Sequence, residues 1–186
     1  MGKIGTEECV MVLYVARHGQ TQWNLEDKVC GSTDLPLTEL GLQQARILAE
    51  QVGKVKPDVI ISSTMLRARQ TAQGCCEACG LEMITDNRIV EQDFGTFEGA
   101  SRFDPEFQIR RRNFAAKFPQ GESMLQMCHR VYSFLDELPE KYPGKKVLVV
   151  CHGSVARMMR TYFVDMTNEE YFHYLPGNAE LTEYRL

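Results

Sequence analysis

The chain has 186 residues, 44% hydrophobic and 25% charged, with a net charge of -4. That is enough apolar content for one sizeable core, so a single domain over residues 1–186 is expected, and the mild acidity with no basic stripe excludes a nucleic-acid footprint. No apolar run approaches the roughly eighteen residues of a membrane-spanning helix, which excludes that class of membrane protein.

The N-terminus lacks the features of a signal peptide. Met1-Gly2-Lys3-Ile4-Gly5-Thr6 fits the loose myristoylation pattern, a short pattern whose single acyl chain anchors weakly. A cytoplasmic protein is the expectation. The seven cysteines (Cys9, Cys30, Cys75, Cys76, Cys79, Cys128, Cys151) are odd in number and point to reduced thiols. Cys76 and Cys79 form a C-x-x-C without a second pair, so they read as small buried hydrophobes rather than as a zinc site.

Val10 to Ala16 is an unbroken apolar run suited to a strand buried on both faces, and it stops at Arg17-His18-Gly19. After a glycine-containing loop, Thr38 is placed to cap a helix whose apolar side is Leu40, Ala45, Leu48, Ala49 and Val52. Val59-Ile60-Ile61 predicts a second buried strand, with Ser62-Ser63-Thr64 as caps for a helix running to Cys79 and stopped by Gly80. Leu81 to Thr85 reads as a short third strand. The pattern is least clear from Ser101 to Pro119, where a helix carrying Phe103, Phe107, Phe114 and Phe118 is expected, with those rings as core. Arg110-Arg111-Arg112 reads as a solvated helix face. Met124, Met127, Val131, Phe134, Leu135 and Leu138 mark one side of a long helix ending near Tyr142. Lys146 to Val150 then predicts a strand running into Cys151-His152-Gly153. Ser154 to Phe163 reads as a helix and Leu181 to Leu186 as an edge strand. The strand and helix alternation predicts an α/β fold, a single doubly wound and mostly parallel sheet with helices on both faces.

Two buried strands thus end alike, at Arg17-His18-Gly19 and Cys151-His152-Gly153, so two histidines are expected at the carboxyl edge of one sheet, where open α/β sheets bind ligands. Arg67 joins them from one turn into its helix. Two arginines, two histidines and helix N-termini suit a tetrahedral dianion, most commonly a phosphate, and no carboxylate cluster is spaced to hold a metal. His129 and His173, in helical and aromatic surroundings, read as structural.

Arg17-His18-Gly19 with Thr21 and Asn24, then Gly31, Asp34 to Glu39 and Gly41, resembles the signature of the histidine phosphatase superfamily, the phosphoglycerate mutase-like group. Ser62 to Ala72, Glu91 ahead of Phe94-Gly95 and Glu98-Gly99, Gly121-Glu122-Ser123 and Val150-Cys151-His152-Gly153 continue the match in order. The resemblance implies that His18 attacks phosphorus and becomes a phosphohistidine, with Arg17, Arg67 and His152 on the non-bridging oxygens and Asn24 adding a neutral hydrogen bond. Thr21, Gly31 and Gly153 fall among the implied substrate contacts. Glu91 is the implied acid and base, with Glu98 as the competing choice. It implies neither metal nor cofactor, and a small phosphorylated metabolite as partner.

The family holds both phosphatases and mutases. Only twenty residues separate Gly99 from Gln120, too few for the covering insert of the mutases, so hydrolysis is the expected outcome and the small phosphatases, including the α-ribazole phosphatase type, are the nearer resemblance. Many relatives carry Trp where this chain has Phe97. Substrate choice is expected to lie in residues 101–118 and in Trp23, Arg88, Tyr171, Phe172 and Tyr174. Three other readings stay open: a mutase, a binder of phosphorylated ligands without turnover, and a cysteine-dependent phosphatase, since Cys151 to Arg157 also satisfies C-x5-R.

Overall fold

The computed structural model describes residues 10–186; Cys9 and the Met1 to Thr6 pattern lie outside the described residues. Five strands form the sheet: β1 Val12–Arg17, β2 Val59–Ser63, β3 Met83–Asp86, β4 Lys146–Cys151 and β5 Leu181–Arg185. Their order is β3-β2-β4-β1-β5, parallel except for β5, which pairs antiparallel to β1 at the edge.

Side-chain alternation along the central strands decides how the two faces are covered. Leu13, Val15, Val147, Val149 and Cys151 face helices α5 (Met124–Lys141) and α6 (Gly153–Phe163). Tyr14, Ala16, Ile60, Leu148 and Val150 face α2 (Glu39–Val55) and α3 (Leu66–Cys79). Helices on both faces of a mostly parallel sheet make this a doubly wound α/β fold. The six apolar positions read along α5 are all buried, each worth roughly 1.5–3 kcal/mol of transfer free energy. Three short helices, α1 (Gln22–Leu25), α4 (Pro105–Arg110) and α7 (Asn168–His173), sit in the connections.

Thr38 caps α2 as expected, its hydroxyl accepting from Gly41 N at 3.1 Å, and Gly80 ends α3 in the left-handed conformation at φ 66°. The start of α3 differs. Ser62 and Ser63 belong to β2, and the N-cap residue Met65 offers no side-chain oxygen. Asp34, from a loop distant in sequence, takes that role by accepting from Leu66 N at 2.7 Å. The third strand begins at Met83, two residues later than expected.

The helix expected within 101–118 shrinks to the six residues of α4, which starts at Pro105 under an Asp104 cap. Phe107 and Phe118 are buried with Val29 and Phe94 in a small cluster above the carboxyl edge, whereas Phe103 is 69% exposed. Among the described residues, no helix is long and apolar enough to cross a membrane, and the six cysteines there are all free thiols.

Candidate active site

The adjacent strands β1 and β4 pair in register from Val12 with Lys146 to Arg17 with Cys151. Their following helices diverge, α2 to one face and α6 to the other, and this divergence opens a crevice at the carboxyl ends. Both strands end in an Xaa-His-Gly step at matched register, so their histidines emerge together, with ring centroids 5.1 Å apart. His18 is 4% exposed and His152 fully buried.

Hydrogen-bond partners fix both tautomers. His18 Nδ1 lies 2.7 Å from Gly19 O; a carbonyl only accepts, so Nδ1 carries the proton and Nε2 keeps the lone pair. Arg67 Nε donates to His152 Nδ1 at 3.2 Å, which leaves the His152 proton on Nε2, directed at Ser63 Oγ 2.8 Å away. Burial and the Arg67 charge push both imidazoles well below the usual histidine range, and Arg17 acts on them in the same direction. Both rings are therefore neutral at pH 7.

Arg67 is fully buried in α3. Its Nη1 donates to Thr33 O and its Nη2 to Gly31 O, each at 2.8 Å. The 31–33 loop that supplies those carbonyls is held from behind by Glu98, whose carboxylate accepts from the backbone N–H groups of Gly31, Ser32 and Thr33 at 3.0 to 3.2 Å. Gly31 leaves no room for a Cβ, which would run into Gln92 O and the Glu98 carboxylate. Glu98, the competing acid in the sequence, is thus occupied in shaping the loop.

A cavity of about 120 Å³ opens in front of His18, lined by Arg17, Asn24, Glu91 and Gly153 among others. Glu91 is 7% exposed; one carboxylate oxygen accepts from Gln92 N at 2.8 Å and the other from Ser154 N at 3.1 Å, at the start of α6. Arg17 Nη1 is tied to Pro176 O at 2.9 Å, whereas its buried Nε has no partner among the described residues. Desolvation draws the Arg17 guanidinium down to about 10, with Glu91 pulling the other way. A Cβ on Gly153 would meet Leu175 Cδ1 at 2.9 Å, while standing at ordinary contact distance, 3.6 Å, from Arg17 Nε, so this glycine lets Leu175 pack against the start of α6. Asn24 spends its amide oxygen on Thr21 N at 3.0 Å, leaving its NH2 for a ligand.

The expected site residues fall into two layers. His18, Arg17, Asn24, Glu91 and Gly153 line the cavity. Arg67, His152 and Gly31 stand behind, joined by hydrogen bonds, and Thr21 caps α1. Cys151 is fully buried in the core under the α5 and α6 face, with its thiol pushed far up by burial and by Glu91, opposite to what a nucleophilic thiolate requires.

Several lining residues escaped the sequence reading. Arg111 is no solvated face: it turns inward to line the cavity between Phe107 and Phe172, while Arg110 pairs outside with Glu106 at 2.9 Å. Arg157 is 6% exposed within a helix whose neighbouring residues Val155, Ala156, Met158 and Met159 are buried. A charge inside that apolar stretch was its readable signal. Of the residues expected to govern substrate choice, Tyr171 and Phe172 line the cavity. Trp23 instead packs against Gly99, and Arg88 pairs with Asp86 and Glu137, each at 2.7 Å. Tyr174 contributes its carbonyl to Arg157. His129 and His173 are exposed on their helices. Among the described residues no three His, Cys, Asp or Glu side chains gather as a metal site.

The family model of the histidine phosphatase superfamily, branch 1, matches residues 13–186. A Yersinia pestis protein named probable phosphoglycerate mutase GpmB is 37% identical over 151 residues, 77% of this chain and 70% of that protein. Among solved structures, a mycobacterial glucosyl-3-phosphoglycerate phosphatase superposes with a TM-score of 0.83 at 27% identity, over 94% of this chain and 89% of that one. A phosphoserine phosphatase from Entamoeba histolytica, solved with 3-phosphoglyceric acid, gives 0.81 at 29% identity over 93% and 89%. This chain belongs to branch 1 of the histidine phosphatase superfamily.

Proposed function

We propose that the chain, as one domain, hydrolyses phosphate monoesters of small metabolites through a phosphohistidine on His18, without a metal ion. The observation that carries this reading is the His18 tautomer: with its proton donated to Gly19 O, the ring is a neutral nucleophile whose lone pair is on Nε2. In the first step Nε2 forms a bond to phosphorus as the ester P–O bond breaks, and Glu91 passes its proton to the departing oxygen. In the second, Glu91 takes a proton from water, the water oxygen bonds to phosphorus, and the P–N bond breaks to return the lone pair to Nε2 and release phosphate. The free Arg17 Nε, the Asn24 amide and the Gly153 N–H at the start of α6 are the donors for the non-bridging oxygens. Arg67 supplies positive charge behind the cavity and acts on it through His152 and the 31–33 loop, which it holds in place.

A mutase reading draws support from the name of the Yersinia relative. It differs only in what accepts the phosphoryl group. Residues 100–119 supply the single short helix α4 here, too short a segment to form a covering insert over the site, which favours hydrolysis.

The test is hydrolysis of an aryl phosphate in excess chelator by the unaltered protein and by His18→Ala, with trapping of the phosphoenzyme in alkali, where phosphohistidine survives. Activity that persists in chelator and disappears in the variant, with an alkali-stable phosphoenzyme, is the expected result. Activity unchanged in His18→Ala overturns the reading. Interconversion of 2- and 3-phosphoglycerate faster than release of phosphate would replace it with the mutase.

A further inference from the structure

The proposed proton donor, Glu91, stands on a segment with no backbone ladder of its own. Residues 91–94 belong to neither helix nor strand, so their backbone N–H and C=O groups need partners from elsewhere. Arg130, in the second turn of α5, reaches them across 39 to 42 positions of sequence. A guanidinium has five N–H donors, and here all five are used. Nη1 donates to Arg88 O and Val90 O, each at 2.7 Å, and Nη2 to Glu91 O at 3.2 Å. The other two go to the Glu122 carboxylate, from Nη2 at 2.5 Å and from Nε at 3.2 Å.

Glu122 grips the segment on its far side. The carboxylate oxygen that meets Nη2 also accepts from Asp93 N at 3.2 Å, and Glu122 N donates to Asp93 O at 3.0 Å. The pair is largely out of water, at 18% and 19% side-chain exposure, where a bidentate contact fixes direction as well as distance. Its base is rigid: Ser123 Oγ caps α5 by accepting from Gln126 N at 3.2 Å, and Met124, Met127 and Val131 anchor the first turns in the core. A buried ion pair adds little net stability once desolvation is counted. Its aim is more telling, since every bond from the Arg130 guanidinium or the Glu122 carboxylate to backbone falls within residues 88–93.

We propose that Arg130 and Glu122 are positioning residues for the reaction: gripping the backbone on either side of Glu91, they hold its carboxyl where the leaving oxygen departs. This rests on the phosphomonoesterase reading and adds what fixes its proton donor. Neither residue lines the cavity in front of His18, so both act through Glu91. A general acid must meet the leaving oxygen at about 3 Å, and a donor carried on a loop keeps that distance only if a rigid element holds the loop.

The experiment measures kcat/KM for ethyl phosphate and for 4-nitrophenyl phosphate. This parameter covers the steps up to cleavage of the ester bond, in which the alkyl leaving group needs a proton and nitrophenolate does not. Arg130→Gln is expected to lower it about 10- to 100-fold for ethyl phosphate and less than about threefold for the aryl ester. Arg130→Lys, with fewer donors, should retain part of the activity. Glu122→Gln keeps an acceptor for Asp93 N and carries the same comparison if Arg130→Gln fails to melt cooperatively. The inhibition constant of inorganic phosphate should stay the same in every variant. In a Glu91→Gln background, Arg130→Gln should change either rate by no more than about twofold, because no carboxyl acid remains to be misplaced. Equal losses on the two esters, or an undiminished loss in the Glu91→Gln background, overturn the positioning role. A selective loss in Glu91→Gln that Arg130→Gln and Glu122→Gln do not share overturns it too, and leaves Glu91 as the acid. If the unaltered protein hydrolyses neither ester, or Glu91→Gln slows both alike, the catalytic reading falls first and the positioning role with it.

Discussion

Arg67 Nε donates to His152 Nδ1 at 3.2 Å, and this bond decides on which nitrogen His152 keeps its proton. The same guanidinium holds Gly31 O and Thr33 O, so one buried side chain sets both the second histidine and the loop. Arg67→Lys cannot span three acceptors. The substitution is expected to cost about 1–3 kcal/mol for each carbonyl left without a donor, read as a lower unfolding midpoint, and to lower kcat/KM for any phosphate ester by at least about tenfold. A variant with unchanged midpoint and rate would show that the Arg67 contacts are incidental.

Buried His18 and His152 make stability depend on pH. In the unfolded chain each binds a proton as the pH falls below about 6.5, whereas in the native state both are held neutral to lower pH. The unfolded state then binds more protons, so stability is complete above about pH 6.5 and declines below it, by up to about 1.4 kcal/mol per pH unit for each histidine until the native pKa is reached. Urea unfolding at pH 7.5, 6.5 and 5.5 is expected to show a plateau and then a fall, made shallower by His152→Gln. If His18 is the nucleophile proposed above, its neutral ring should likewise keep turnover from declining through pH 6.5. A stability profile flat from 7.5 to 5.5 would mean the rings are solvated.

Glu91 and Glu98 are seven positions apart and do different work. Glu98→Gln replaces a charged acceptor of three loop N–H groups with a weaker one and is expected to lower stability by about 1–3 kcal/mol. Glu91→Gln should preserve the fold while slowing hydrolysis of alkyl phosphates, which need a protonated leaving group, by about 100-fold or more, and that of an aryl phosphate with an acidic leaving group much less. Equal losses for both ester types would remove Glu91 from the acid role.

Cys151→Ser tests the C-x5-R alternative. The thiol is buried in the core and donates a long hydrogen bond to His152 O at 3.8 Å. Activity is expected within about twofold of the unaltered protein, with a modest loss of stability from a buried hydroxyl, and the native thiol should resist aromatic disulfide reagents. Abolished turnover in a folded Cys151→Ser protein would reverse the assignment of the nucleophile.

The sequence by itself determined the sheet and the carboxyl edge at which the two histidines meet. Continuous apolar runs such as Val10 to Ala16 and Val147 to Val150 suit strands covered on both faces, and each leads into a histidine and a glycine whose juxtaposition follows from parallel pairing. The buried face of α5 was readable for the same reason: helical periodicity is local. What only the tertiary structure decided are the contacts between residues distant in the chain: Asp34 capping α3 in place of the adjacent serines, Glu98 fixing the 31–33 loop, and Arg111 turned inward beside Arg157. No local pattern encodes these, because a polar side chain's role depends on which unpaired N–H, carbonyl or charge the folded chain brings within about 3 Å of it.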